Sequence, residues 1–201
     1  ERREHHDDLR DIGRDQLLTV RVGAIQQRRP RIGGLHDALV RCRAGDLHPI
    51  DIVETLAQHH DWDFDRVTDD QIAMAVEGQW RTYSITLAWS GYDETLRLIC
   101  TFEMDPPEER IAALHEALNR TNDMVWSGAF TFWREQRLMV WRYGLCLAGG
   151  QIAGPEQIDR LITDAVTAAE RFYPAFQLTC WGDESPERAM DVAMARAYGR
   201  A

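Results

Sequence analysis

The chain has 201 residues, with 33 Asp and Glu against 23 basic residues, all of them Arg, and a formal charge of −10. That length suits one domain with at most an appendage, and it is long enough to bury a core without a disulfide or a metal. The acidity argues against a general nucleic-acid binder, because phosphate recognition needs positive charge to release counterions; no apolar run approaches the roughly 20 residues of a membrane-spanning helix.

The charge is uneven along the chain. Residues 1–48 carry a net +2 and residues 49–201 a net −12. The first stretch holds the basic cluster Gln26-Gln27-Arg28-Arg29-Pro30-Arg31 and the breaker Gly33-Gly34, with only short, weakly periodic segments at 17–25 and 35–42. A basic arm for an anionic partner is one reading. A disordered leader, or sequence ahead of a start assigned too early, is the preferred one. Residues 49–201 are then the folded domain.

Regular patterning begins at Pro49, which suits a first helical turn, and Ile52, Val53, Leu56 and Ala57 follow at helical spacing up to His60. Period two then takes over: Ile72, Met74 and Val76 precede Gly78, and Tyr83, Ile85, Leu87 and Trp89 alternate with small polar residues. After the turn at Gly91-Tyr92-Asp93, Leu96, Leu98, Cys100 and Phe102 alternate in turn. Three strands joined by short turns predict an antiparallel meander. Asp105-Pro106-Pro107-Glu108-Glu109 then announces a helix, since proline and acids both suit a first turn. Ile111, Leu114, Leu118 and Val125 line its buried face and Gly128 ends it. Segments 129–134 and 138–147 predict a hairpin. Pro155 opens a further helix with Ile158, Leu161, Ile162, Ala165, Ala169 and Phe172 as its stripe. Residues 173–181 are ambiguous, and Pro174 suggests a kinked, buried continuation. Ser185-Pro186 caps a last helix running to about Tyr198. The order predicts an α+β domain: a single antiparallel sheet, made of a three-stranded meander plus a hairpin, with helices packed on it.

Chemistry-bearing clusters are sparse. His59-His60-Asp61-Trp62-Asp63-Phe64-Asp65 is dense in metal-ligating types, but adjacent histidines on a helix diverge by about 100°. The alternating acids open like a calcium loop, yet lack its Gly and closing Glu. A helix C-terminus, where His suits the dipole, is the better reading. There is no GxSxG elbow, P-loop, HExxH or GxGxxG after a strand. Gly149-Gly150-Gln151-Ile152-Ala153-Gly154 lies where a phosphate loop would, but without a parallel βαβ unit it reads as a turn. His115 reads as a solvated helix residue. No catalytic residue, metal ligand or cofactor is expected. The four cysteines (Cys42, Cys100, Cys146, Cys180) form no CxxC pair and read as small apolar residues of a reducing compartment, so the cytoplasm is the expected address.

Seven tryptophans are the unusual asset. Most are expected in the core, Trp80, Trp126 and Trp181 included. The hairpin is different: Phe130, Phe132, Trp133, Trp141 and Tyr143 put aromatics on both of its faces. Helices on one side only would leave an apolar face uncovered, which marks a client or homodimer surface. Tyr173, Phe176 and Trp181 are candidates for a small-ligand pocket between the sheet and the third helix.

Several runs carry a resemblance. Asn122-Asp123-Met124-Val125-Trp126-Ser127-Gly128-Ala129-Phe130, Glu170-Arg171-Phe172-Tyr173-Pro174-Ala175-Phe176-Gln177 and Trp181-Gly182-Asp183-Glu184-Ser185-Pro186-Glu187-Arg188-Ala189 resemble the YbjN family. So do Pro49-Ile50-Asp51 and Asp69-Asp70-Gln71-Ile72, and the match spans about residues 49–198. The resemblance implies a type III secretion chaperone-like fold and a regulatory role in stress response or motility. Chaperones of that fold are small acidic dimers that hold an extended client segment on their sheets. The family supplies no catalytic residue to carry over. Gly182-Asp183-Glu184 departs from it, where a second Gly and a Lys are expected; the added acid speaks against an anion site there. The leading expectation is therefore a non-enzymatic adaptor acting through a protein client or a second copy, with no nucleic acid and no membrane involved. A small-ligand sensor is the alternative, and an enzyme whose site is assembled from scattered residues is a third.

Overall fold

A computed structural model describes residues 48–198. The basic cluster at 26–31, the weak segments at 17–25 and 35–42, and Cys42 lie outside the described residues.

Helix α1 (Pro49–His59) starts where the sequence places it: Pro49 occupies the first turn and the His48 Nδ1 accepts the Ile50 N–H at 3.3 Å. Four strands follow in a meander: β1 (Asp63–Thr68), β2 (Gln71–Glu77), β3 (Thr82–Ser90) and β4 (Thr95–Glu103). A short 3-10 turn (Glu108–Arg110) leads into α2 (Ile111–Asp123), and the hairpin β5 (Ala129–Trp133) and β6 (Leu138–Cys146) comes next. Helices α3 (Pro155–Trp181) and α4 (Pro186–Tyr198) close the described chain. The class is α+β, as the pattern predicts.

One detail differs from the sequence reading. The meander has four strands, because Asp63–Thr68, expected at the end of a helix, pairs antiparallel with β2. Asp63, Asp65 and Val67 are exposed and only Phe64 packs against the core, so the alternation is nearly silent. Such charged edge strands discourage pairing with other chains. Arg66 fastens β1 to α1 through Asp51 (2.7 Å) and Glu54 (2.8 Å). Residues 173–181 continue α3, as expected, in one 27-residue helix with Pro174 inside it. Proline leaves the 170–174 backbone bond unmade.

The sheet order is β1-β2-β3-β4-β6-β5, antiparallel throughout. Helix α2 carries the chain past β4, so that β6 pairs with β4 over nine residues and β5 is left at the edge. On one face Ile72, Met74, Tyr83, Ile85, Leu87, Leu98, Cys100, Phe102, Met139 and Trp141 form a single core with α1, α2 and α3. Each fully buried large apolar side chain there contributes about 1.5–3 kcal/mol. Ala73, Thr86, Ile99 and Val140 are also buried, but they lie on the opposite face and outside that core.

The ends of α3 and α2 are cross-linked by Arg110. Its Nε and Nη2 donate to the Thr179 carbonyl at 2.9 and 2.5 Å, and Nη2 also donates to the Glu184 carbonyl at 2.9 Å. The Thr179 carbonyl is an acceptor that the C-terminus of α3 leaves open, and Glu184 lies in the loop that leads to α4.

Candidate protein-binding site

The C-terminus of α2, the loop 124–128 and edge strand β5 make one corner of the fold. Helix α2 ends in tightened turns: the Met124 N–H donates to Thr121 O at 3.0 Å and the Val125 N–H to Asn122 O at 3.3 Å. Gly128 then turns the chain with φ +73°. A Cβ on Gly128 would sit 2.2 Å from Trp141 Cζ2, so the loop lies directly on the indole. Trp126, between these two devices, cannot reach the core and is fully exposed, at 103%. Met124 beside it is 40% exposed.

Asn122 treats β5 as a neighbouring strand would. Its Oδ1 accepts the Phe130 N–H at 2.7 Å and its Nδ2 donates to the Phe130 carbonyl at 3.0 Å. Both Phe130 groups therefore point away from β6. Alternation points the Phe132 N–H and carbonyl the same way, and among the described residues neither has a hydrogen-bond partner. The corner thus offers one occupied and one open pair of strand-edge groups, next to an exposed indole.

The five aromatics singled out in the hairpin do not form one surface. Phe130 and Trp141 are directly paired across the strands, and Phe130 packs edge-on against Phe172 and Phe176 of α3. Phe130, Phe132 and Trp141 are buried beneath the helices. Tyr143 is half-buried on that same face, stacked on Trp141 with centroids 6.2 Å apart. Only Trp133, half-buried, turns to the opposite face. The group therefore divides: Phe130, Phe132 and Trp141 lie under the helices, and Trp133 lies on the other face of the sheet. The Trp141 indole N–H is buried without a partner.

The pocket candidates also separate. Phe176 is fully buried, and Trp181, 48% exposed, stands eight residues beyond Tyr173, about 12 Å along the helix. Tyr173 instead belongs to a cluster at the β2–β3 turn. Trp80, 43% exposed, stacks on Tyr173 at 6.3 Å, and the Arg81 guanidinium lies 5.7 and 5.8 Å from the Phe102 and Tyr173 rings. Arg81 Nη1 donates to the Glu103 carbonyl, whereas its Nε is buried without a partner. Glu170 Oε1 accepts the Tyr83 hydroxyl at 2.7 Å and the Trp80 N–H at 3.2 Å. Burial, and then this carboxylate, push the Tyr83 phenol well above its ordinary value.

The histidine cluster dissolves. His60 stacks on Trp62 at 4.4 Å and meets Asp159 Oδ1 at 2.8 Å, joining the end of α1 to α3. His115 stands exposed on α2. Among the described residues no group of three or more His, Cys, Asp or Glu is placed to hold a metal ion, and no helix is long and apolar enough to cross a membrane. What sequence reasoning missed is Trp126, expected in the core. Its signal is its position within the stop between a helix and a strand, where neither period applies.

A family profile named YbjN and described as "Putative bacterial sensory transduction regulator" matches residues 49–178, well over half of the chain. No curated protein matches. Among solved structures, this chain is similar to that of "Crystal structure of YbjN, a putative transcription regulator from E. coli", at 11% identity and a TM-score of 0.45, covering 75% of this chain and 93% of that one.

Proposed function

Because the chain belongs to the YbjN family, we propose that it is a regulator that acts by binding another protein, not by catalysis, with an extended client segment lying along β5 beside Trp126. The observation that carries this reading is the fully exposed Trp126 next to the open N–H and carbonyl of Phe132. Backbone bonds to a strand edge supply affinity, and an aromatic beside the edge supplies selectivity. The net −12 of residues 49–201 favours a client with basic flanks. The reading places the protein in the cytoplasm, in stress or sensory regulation, where thiols such as Cys100 and Cys180 stay reduced.

The test installs a photo-crosslinking residue at position 126 of the full chain and identifies what is captured in host cells. One stoichiometric partner, with its crosslinked segment mapped, is expected. The same partner should then bind purified Trp126→Ala about tenfold more weakly, the loss typical of an aromatic anchor. Undiminished binding by the folded Trp126→Ala protein would sink the placement.

A small-ligand reading has one observation in its favour, the buried Arg81 Nε without a partner amid the Trp80, Phe102 and Tyr173 rings. Native mass spectrometry of protein purified from its host decides it. Added mass that Arg81→Ala abolishes would move the function to that turn.

A further inference from the structure

We propose that residues 35–44 form an amphipathic helix lying across the sheet face opposite the core, so that the chain itself covers both faces of its sheet. By alternation Gln71, Ala73, Thr86, Ile99 and Val140 point to that face. The described helices pack on the core face or on one another, and Ala73, Ile99 and Val140 stand outside the core they form. All five residues are nevertheless buried, and Val140 is 0% exposed. A sheet face open to water would leave such side chains partly wet. The cover therefore comes from a part of the chain other than the described elements.

The buried positions make one stripe. Gln71 and Ala73 lie on β2, Thr86 on β3 and Ile99 on β4, the last three in one row by register, and Val140 on β6 lies one row further on. The stripe crosses three strand spacings, about 14 Å in all. The exposed Asp65 and Arg142 bound it on either side.

Residues 35–44 fit this stripe in pattern, length and reach. Leu35, Ala38, Leu39 and Cys42 recur at i, i+3, i+4 and i+7, one face of a helix, while His36, Asp37, Val40 and Ala44 fall on the other. Gly33-Gly34 and Gly45 bound the segment, and Asp37 in its first turn with Arg41 and Arg43 in its last suit the helix dipole. A helix over 35–44 is about 15 Å long. Gly45-Asp46-Leu47 then span at most about 10 Å to His48. The Nε2 of His48 is held 3.0 Å from the Asp70 carboxylate, beside Gln71, so the chain enters α1 at the stripe's own end.

Two features at that end agree. The Gln71 Nε2 is buried without a hydrogen-bond partner, and the last turn of a helix laid there offers open carbonyls. On the neighbouring β1, Asp63 and Asp65 are exposed with no ion-pair partner among the described residues, a charge that Arg41 and Arg43 complement. The folded domain then begins near residue 35. Such a cover leaves the β5 edge and Trp126 to a client, and either proposal can fail without the other.

The experiment uses the full chain. Cys42 lies on the proposed contact and Cys146 is exposed, so alkylation of the native protein should modify Cys42 about tenfold or more slowly than Cys146. A diazirine-bearing aliphatic residue at position 99 should crosslink to position 35, 38, 39 or 42 of the same molecule, as mixing isotope-labelled with unlabelled chains will establish. Leu39→Ala should lower the urea midpoint by about 1 M, whereas Val40→Ala, on the outward side, should leave it in place. Cys42 alkylated as fast as Cys146 would overturn the proposal. So would crosslinks to residues 17–25 or to a second copy, or equal midpoints for the two variants.

Discussion

Single residues in this fold are constrained by close approach more than by propensity. Gly128 combines a positive φ with an indole 2.2 Å from where its Cβ would lie, so neither the backbone nor the space admits a side chain. Gly128→Ala should lower stability by about 2–4 kcal/mol, seen as a fall in the urea midpoint at unchanged slope. The glycine was legible in the sequence as a helix stop. Its partner was not, because Trp141 is 13 residues away in sequence and only the β5–β6 pairing brings it there. Gly78 is a parallel case: a Cβ there would meet Glu170 and the Tyr83 ring, contacts that join a turn to a helix some 90 residues away.

Elements were legible in proportion to how much of one face they bury. Strands β3 and β4 alternate cleanly and were readable from the residues alone. Strand β1 was not, since Asp63, Asp65 and Val67 are all exposed and Arg66 spends an inner position on Asp51 and Glu54 of α1. Strand β5 is short and at an edge, and Asn122 stands in for the neighbour it lacks. Asn122→Ala should cost about 1.5–3 kcal/mol, for two part-buried bonds lost together. Amide exchange should accelerate at Phe130 and much less at the paired Trp141. Equal acceleration at both would mean that Asn122 holds the whole hairpin and not its edge.

The whole molecule adds a dependence on pH that no element carries alone. Burial raises the Cys100 thiol to about 12 and the Cys180 thiol to about 11, from an ordinary value of 9.0, and burial with the Glu170 carboxylate raises Tyr83. All three folded values lie above the unfolded ones. Their contribution is therefore complete below the unfolded values and is lost as pH rises through the folded ones. Global stability should fall steadily between about pH 9 and about pH 12, as the unfolded chain releases protons first. Cys100→Ala with Cys180→Ala should flatten that slope, whatever the two substitutions cost at neutral pH. A slope unchanged by the double substitution would show that the thiols ionise equally in both states.

The sequence by itself determined the class, the three long helices after the meander, the strand alternation and the family, because these rest on local periods and short runs that need no neighbour. Residues 49–178 carry the family match on that basis. Tertiary structure alone decided which aromatic faces are covered. Phe130, Phe132 and Trp141 look like a surface until α3, continuing past Pro174 to Trp181, is laid over them. It also decided that Trp126 stands fully exposed. Alternation fixes which side chains share a face, but only the packing of distant elements fixes which face meets water.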